Sequence, residues 1–147
     1  MNLEQLSKNL GTAISAIQSG DILNRAVLEN QSQIIDLNTA QLEKGKNSLD
    51  ELLERYASDE YAAFKKALGS NAPKGVPNLK LEGDFYSGFK LERDGEDWII
   101  FSTDEKNDDL VNKYGSSIFG LTEKSVKELL PELLETVLIE LRKILMI

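Results

Sequence analysis

The sequence predicts an α+β fold, in which a small antiparallel or mixed sheet of three to four strands packs against N-terminal and C-terminal helices. Two patterns carry that expectation. Apolar residues recur at three- and four-residue spacing toward both ends of the chain, and alternate with polar ones in its middle. The middle stretch, Leu79 to Leu121, also holds most of the aromatic residues, including the single Trp98. A length of 147 residues suits one domain, 1–147, with residues 1–20 reading as a candidate helical arm.

Taken in order, Leu3, Leu6, Leu10, Ile14 and Ile17 define an amphipathic helix over residues 2–18, weakened at Gly11 and stopped by Ser19-Gly20. Asp21 is placed to cap a second helix reaching about residue 43. Its stripe is Leu23, Val27, Asn30, Ile34 and Leu37, widened by Ile22, Ala26 and Ile35. The polar tract Glu29–Gln33 is a weak helix former, so a break is expected there, and Gly45 supplies the C-terminal stop. Asp59 reads as the cap of a helix over Glu60–Leu68 whose apolar side is Tyr61, Phe64 and Leu68. Ser70–Asn78, with Pro73, Gly75 and Pro77, reads as a mobile or partner-ordered loop.

Residues 85–93 alternate as a half-buried strand, with Phe85, Ser87, Phe89 and Leu91 on one face. Asp94-Gly95 marks a tight turn. Glu96–Thr103 is the return strand, apolar on both faces and therefore expected to be central or covered twice. Leu110, Val111 and Tyr114 predict a short helix ending at Gly115, and Ser116–Phe119 a short strand. Thr122 and Ser125 cap a last helix with a broad stripe from Leu129 to Leu145, which Pro131 must kink or restart.

Composition limits the chemistry. With neither Cys nor His, the chain lacks the thiolate and the imidazole on which most nucleophilic, acid–base and zinc sites are built. Asp84, Asp94, Asp97, Asp104, Asp108 and Asp109 are the available carboxylates, and their settings in turns and helix starts predict capping and solvated roles. Asp104–Asp109 lacks the central Gly and distal Glu of a calcium loop. Ser87-Gly88 is no nucleophile elbow. Lys65, Lys66 and Lys74 read as solvated positives, and Phe85, Tyr86, Phe89, Trp98 and Phe101 as core. No catalytic residue, metal or cofactor is expected. A net charge of −8 disfavours bare nucleic acid and anionic lipid, and no apolar run approaches a bilayer span. The opening Met1–Lys8 lacks the order of a signal peptide, so a cytoplasmic setting is expected.

Leu81-Glu-Gly-Asp-Phe-Tyr-Ser-Gly-Phe89, followed by Leu110-Val-Asn-Lys-Tyr-Gly-Ser-Ser-Ile-Phe-Gly-Leu121, resembles small structural proteins of phages and prophages of Bacteroides-like bacteria. Ile34–Leu42 with Gly45 matches the upstream pattern, so the resemblance runs from about Gln33 to the C-terminus. The same order is similar to the phage neck and tail-completion, or virion-morphogenesis, family. Leu81–Phe89 occupies its first motif, with Glu82 where Thr is usual, Tyr114-Gly115 the second, and Ile118–Leu121 the third, which here lacks Arg-Pro. The framework positions are then Gly83, Asp84, Phe85, Tyr86, Tyr114, Gly115, Phe119 and Gly120.

The resemblance implies a non-enzymatic subunit of the head–tail neck or tail terminus, present in the virion and, during assembly, in the host cytoplasm. Its partners would be further copies in a ring and neighbouring connector, portal-adjacent or tail-tube proteins, with DNA passing through a lumen rather than being read. Candidate assembly positions are Pro73, Gly75 and Pro77 in the loop, Leu3 and Leu6 in the first helix, and Leu145 and Ile147 at the last helix tip. The alternative is an acidic intracellular binding protein, such as an inhibitor or DNA mimic.

Overall fold

The computed structural model describes residues 1–80 and 84–147, and is α+β. Its helices are α1 (Leu3–Gln18), α2 (Asp21–Glu29), α3 (Gln31–Glu43), α4 (Asp59–Ala67), α5 (Asp84–Ser87), α6 (Asn107–Tyr114) and α7 (Glu123–Leu145). Strands β1 (Phe89–Asp94) and β2 (Asp97–Ser102) lie between α5 and α6, and a 3-10 turn, Ser116–Ile118, precedes α7. The chain forms two compact units, Met1–Ser32 with Lys127–Ile147, and Gln33–Val126. Leu81, Glu82 and Gly83, which open the first motif of the resemblance, lie outside the described residues.

In the first unit the helices form where periodicity places them, but α1 turns its apolar face outward. Asn2 caps α1 by accepting from the Gln5 N–H at 2.8 Å. The buried side of α1 is Asn9 and Ala13, and that of α2 is Ile22 and Ala26. The stripe Leu3, Leu6, Leu10, Ile14 and Ile17 is turned outward, at 36% to 85% exposure. Small inward residues let helices approach closely, and a unit of this size has too little surface to cover every apolar stripe. The break expected within the second helix falls at Asn30, whose amide donates to the Ala26 carbonyl at 2.8 Å and to Thr136 Oγ1 at 3.1 Å. Gly20, at φ +79°, occupies the cap position expected for Asp21, which instead sits in the first turn. α7 is continuous through Pro131, which forfeits one backbone bond without ending the helix.

The second unit holds the main core: Leu42, Leu53, Ala72, Val76, Phe85, Phe89 and Ile118. Gly45 ends α3 at φ +75°. Its N–H reaches the Leu42 carbonyl at 2.8 Å, and the Lys46 N–H reaches Gln41 at 3.0 Å, closing the helix in a Schellman motif. A Cβ on Gly45 would lie 2.5 Å from Val76 Cγ1. That close approach makes the loop after α4 part of the core. Ala72, Val76, Pro77 and Asn78 are buried, so the mobile-loop expectation fails, and Pro77 is removed from the candidate surface. Pro73 remains exposed and Gly75 half-buried.

The sheet is smaller than expected: among the described residues it has two antiparallel strands. Asp94 pairs with Asp97 across a two-residue loop whose first position is Gly95 at φ +66°, the position a type II′ turn reserves for glycine. β2 is not central. Ile99 is 42% exposed, and Trp98, Ile100 and Phe101 are half-buried. Residues 84–87 are helical rather than extended, and Ser116–Ile118 is a 3-10 turn rather than a strand. Phe85 and Phe89 share a face under either geometry, being four residues apart, and their rings meet edge-to-face at 5.0 Å. Gly88 then fits where a Cβ would be 2.6 Å from Ser102 Oγ.

Two side-chain amides of α3 hold the segment leading into α7. Asn38, fully buried, donates to the Ile118 carbonyl at 2.9 Å and accepts from the Gly120 N–H at 3.0 Å. Gln41 donates to the Gly120 carbonyl at 3.0 Å and accepts from the Thr122 N–H at 2.9 Å. Thr122 then caps α7 as expected, accepting from the Ser125 N–H at 3.2 Å.

Replacing Asn38 with Ala leaves the Ile118 carbonyl and the Gly120 N–H without partners, at about 1–3 kcal/mol each, so chemical denaturation should show a loss of roughly 2–6 kcal/mol. Gly45→Ala should cost roughly 2–5 kcal/mol, combining about 1–2 for the left-handed Cβ with about 1–3 for overpacking. Gly69, at φ +88° with nothing near its Cβ position, isolates the first contribution. Equal losses for Gly45→Ala and Gly69→Ala would show that the Val76 contact is not limiting.

Candidate functional site

Each unit presents one feature that its own packing leaves unused. In the first it is apolar surface. Besides the α1 stripe, Leu23 and Leu28 on α2, and Leu130, Leu134, Leu138 and Ile139 on α7, are exposed. Leu145 is half-buried, while Met146 and Ile147 are 70% and 76% exposed.

A buried carboxylate organises the helices that carry this surface. Glu140 accepts from Arg25 of α2 at 3.2 Å and from Lys143, one turn along α7, at 2.6 Å. The hydrogen bond from Lys143 holds its carboxyl below the usual 4.5; burial opposes this and the hydrogen bond from Arg25 reinforces it. Lys143 is correspondingly held above its usual 10.5, first by its hydrogen bond to Glu140 and then by that residue's charge. Asn9 adds a contact from α1, donating to the Leu145 carbonyl at 3.5 Å.

In the second unit the feature is a cavity of about 420 Å³. Its apolar wall is formed by Tyr56, Tyr61, Leu79, Phe85, Leu110 and Tyr114. Among the described residues, four lysines, Lys65, Lys80, Lys106 and Lys113, line it with one carboxylate, Asp84. Ser58, rather than Asp59, caps α4, accepting from the Tyr61 N–H at 3.2 Å, and so sets Tyr61 edge-on to Tyr56 at 4.9 Å. The inward side of α4 is Ala62 and Lys65, while Phe64 and Leu68 are exposed, the reverse of the expected apolar face. Lys65 is therefore no solvated positive. Its ammonium donates to the Lys80 carbonyl, and burial lowers its pKa. Lys66 donates to the Ser70 and Ala72 carbonyls, both at 3.2 Å, tying down the loop that follows.

Tyr56 and Tyr86 keep their protons across the ordinary pH range. Burial, then the neighbouring Tyr61 and Tyr114, push Tyr56 up to about 12, against a hydrogen bond with the Asn78 backbone. Tyr86 is pushed up further, by burial, then Glu43 and Tyr56, and its hydroxyl donates to the Asn78 carbonyl. Lys80 pairs with Glu43 at 2.9 Å, and Lys113 lies 5.2 Å from the centroid of the Tyr114 ring.

Three of the framework aromatics lie together beside this cavity. Phe85, Tyr86 and Phe119 join Phe89 in one aromatic cluster, with Phe119 at 6.0 Å from Phe85 and 5.3 Å from Phe89. Asp84, Phe85 and Tyr114 reach the cavity, Gly115 at φ +87° ends α6, and Gly120 at φ +120° passes against Ser48. Gly83 lies outside the described residues. The remaining acids have local roles: Asp94 and Asp97 flank the hairpin turn, Asp104 accepts from the Lys106 N–H at 2.9 Å, and Asp108 and Asp109 sit in the first turn of α6. Among the described residues no group of acids is placed to hold a metal ion.

Tyr56, Tyr61, Lys80, Lys106 and Lys113 were not anticipated as neighbours. They are spread over almost sixty residues without a local motif, and only the fold assembles them. Comparison with protein-family models, curated proteins and solved structures returns no match for this chain.

Because folding depresses the Glu140 pKa, its contribution is complete above the usual glutamate value and fades as pH falls through the folded one. Glu140→Gln should therefore unfold at lower temperature than wild type at about pH 7, with the gap narrowing toward about pH 3, as read by circular dichroism melts. A gap independent of pH would show that the carboxylate charge plays no part.

Proposed function

We propose that this chain is a non-enzymatic structural subunit of a phage virion, placed at the head–tail neck or the tail terminus and assembled as a ring of its own copies. The observation that carries the reading is the outward apolar stripe of α1, Leu3, Leu6, Leu10, Ile14 and Ile17, accompanied by Leu130, Leu134 and Leu138 of α7. Burying one such side chain fully contributes about 1.5–3 kcal/mol, so covering several of them supplies a substantial part of an association energy. The spacing along α1 suits helix-to-helix packing. The motif resemblance, which runs through Asp84–Tyr86, Tyr114-Gly115 and Phe119-Gly120, supports the virion assignment. An acidic surface is compatible with a lumen through which DNA passes without adhering. Connector, portal-adjacent or tail-tube proteins would meet the faces that the ring leaves open.

The wild-type chain should run as a discrete oligomer in size-exclusion chromatography with light scattering. Leu10→Glu combined with Ile14→Glu should yield a monomer. Both sites are about half exposed, so each change should cost only about 0.5 kcal/mol of fold stability. A wild-type monomer, or an oligomer indifferent to the two glutamates, would remove α1 as the assembly face. The virion assignment is tested separately by mass spectrometry of purified particles: absence of the chain from particles made in cells that express it contradicts it.

A further inference from the structure

The cavity of the second unit has no part in the assembly reading, yet it has the form of a ligand site. Its volume of about 420 Å³ falls in the range of small-molecule pockets, which are mostly apolar with a few placed polar groups. The charge on its wall opposes that of the chain. The protein carries −8 overall, but among the described residues four lysines converge here against the one carboxylate of Asp84. Among the described residues, Lys106 and Lys113 have no carboxylate within ion-pairing distance, and both are exposed at the mouth. Leu79, in the wall, has φ +54°. A bulky side chain in the left-handed region is rare, and such strain gathers where a binding surface is being shaped.

We propose that this cavity binds a small planar aromatic carboxylate, with its ring against the wall that Tyr56, Tyr61 and Tyr114 line and its carboxylate toward Lys106 and Lys113. Tyr56 and Tyr61, in edge-to-face contact at 4.9 Å, present an aromatic surface on which a further ring can pack. Exposed ammonium groups supply charge-assisted hydrogen bonds to a carboxylate. A phosphate is a poorer match. The wall has no arginine to offer a two-pronged contact, and its apolar area would be left uncovered by a compact anion. The inference stands independently of the ring assembly.

The probe is indole-3-acetate, with indole-3-acetamide as its neutral counterpart, titrated calorimetrically into the full chain. Indole-3-acetate should bind saturably at one site per chain, and the amide about tenfold more weakly, a difference of about 1.4 kcal/mol. Lys106→Gln with Lys113→Gln, both exposed and therefore compatible with folding, should weaken the acetate about tenfold and leave the amide unchanged. Ala57→Trp, at an exposed position in the wall, should block both probes. The proposal is overturned by equal affinity for acetate and amide, by unchanged acetate binding in the lysine or tryptophan variants, or by no saturation up to about 10 mM. Repeating the titration on the Leu10→Glu, Ile14→Glu chain separates this result from assembly. Loss of the oligomer should leave the affinity unchanged, and loss of binding there would overturn the assignment to this cavity.

Discussion

The second unit depends on a pair of amides. Asn38 and Gln41 lie one turn apart on α3, and each offers a donor and an acceptor to the backbone of Ile118–Thr122. That segment runs through the interior without regular structure, so its peptide groups have no ladder to join. Unpaired, they would each destabilise the fold by about as much as a buried hydrogen bond contributes. The amides replace the missing strand. Once Ile118 is held, Phe119 is placed against Phe85 and Phe89, and Thr122 is placed to start α7. Asn38, with no exposed surface, could be replaced by leucine on volume alone, but not on hydrogen bonding.

This dependence also explains why the sheet stops at two strands. A stretch such as Ser116–Phe119 reads as a further strand because it is short and partly apolar. Its backbone partners are instead the Asn38 side chain, which donates to the Ile118 carbonyl, the Ser48 N–H, which donates to the Ser117 carbonyl at 2.8 Å, and its own turn, in which the Phe119 N–H donates to the Ser116 carbonyl at 3.1 Å. With those groups already engaged, β2 pairs only with β1 among the described residues, and its apolar alternation does not imply coverage on both sides.

Local signals in the sequence identified most elements and few of their neighbours. Helical periodicity placed α1, the break at Asn30, α6 and the cap of α7, because each follows from residues within one turn of one another. It could not tell which side of a helix faces inward. On α1 and α4 the apolar side is outward, and Asn9 and Lys65 are buried, because closeness of packing and available polar partners decided the orientation rather than hydrophobicity. Phe85 and Phe89 misled for a geometric reason: a separation of four satisfies both the strand and the helix period. Phe85, Tyr86 and Phe119 gather with Phe89 in one aromatic cluster, whereas the cavity lysines come from three separate segments, Lys65 in α4, Lys80 in the loop after it, and Lys106 and Lys113 at the start and end of α6, and carry no sequence signature.

The loop Ser70–Asn78 shows how composition and role can part. Two prolines and a glycine suggest freedom, and in an isolated peptide they would give it. Here Gly45 has no side chain, which leaves room for Val76 and Ala72 against the end of α3. Lys66 then takes the Ser70 and Ala72 carbonyls, and Pro77 presents no N–H that would need a partner inside the core. The same rigidity delivers Pro77 and Leu79 to the cavity wall, and sets the Asn78 carbonyl to receive the Tyr86 hydroxyl. A loop fixed on one side by the core and on the other by an aromatic cluster can sustain the positive φ of Leu79, which a free loop would relax. The cavity is thus a product of the packing of the second unit.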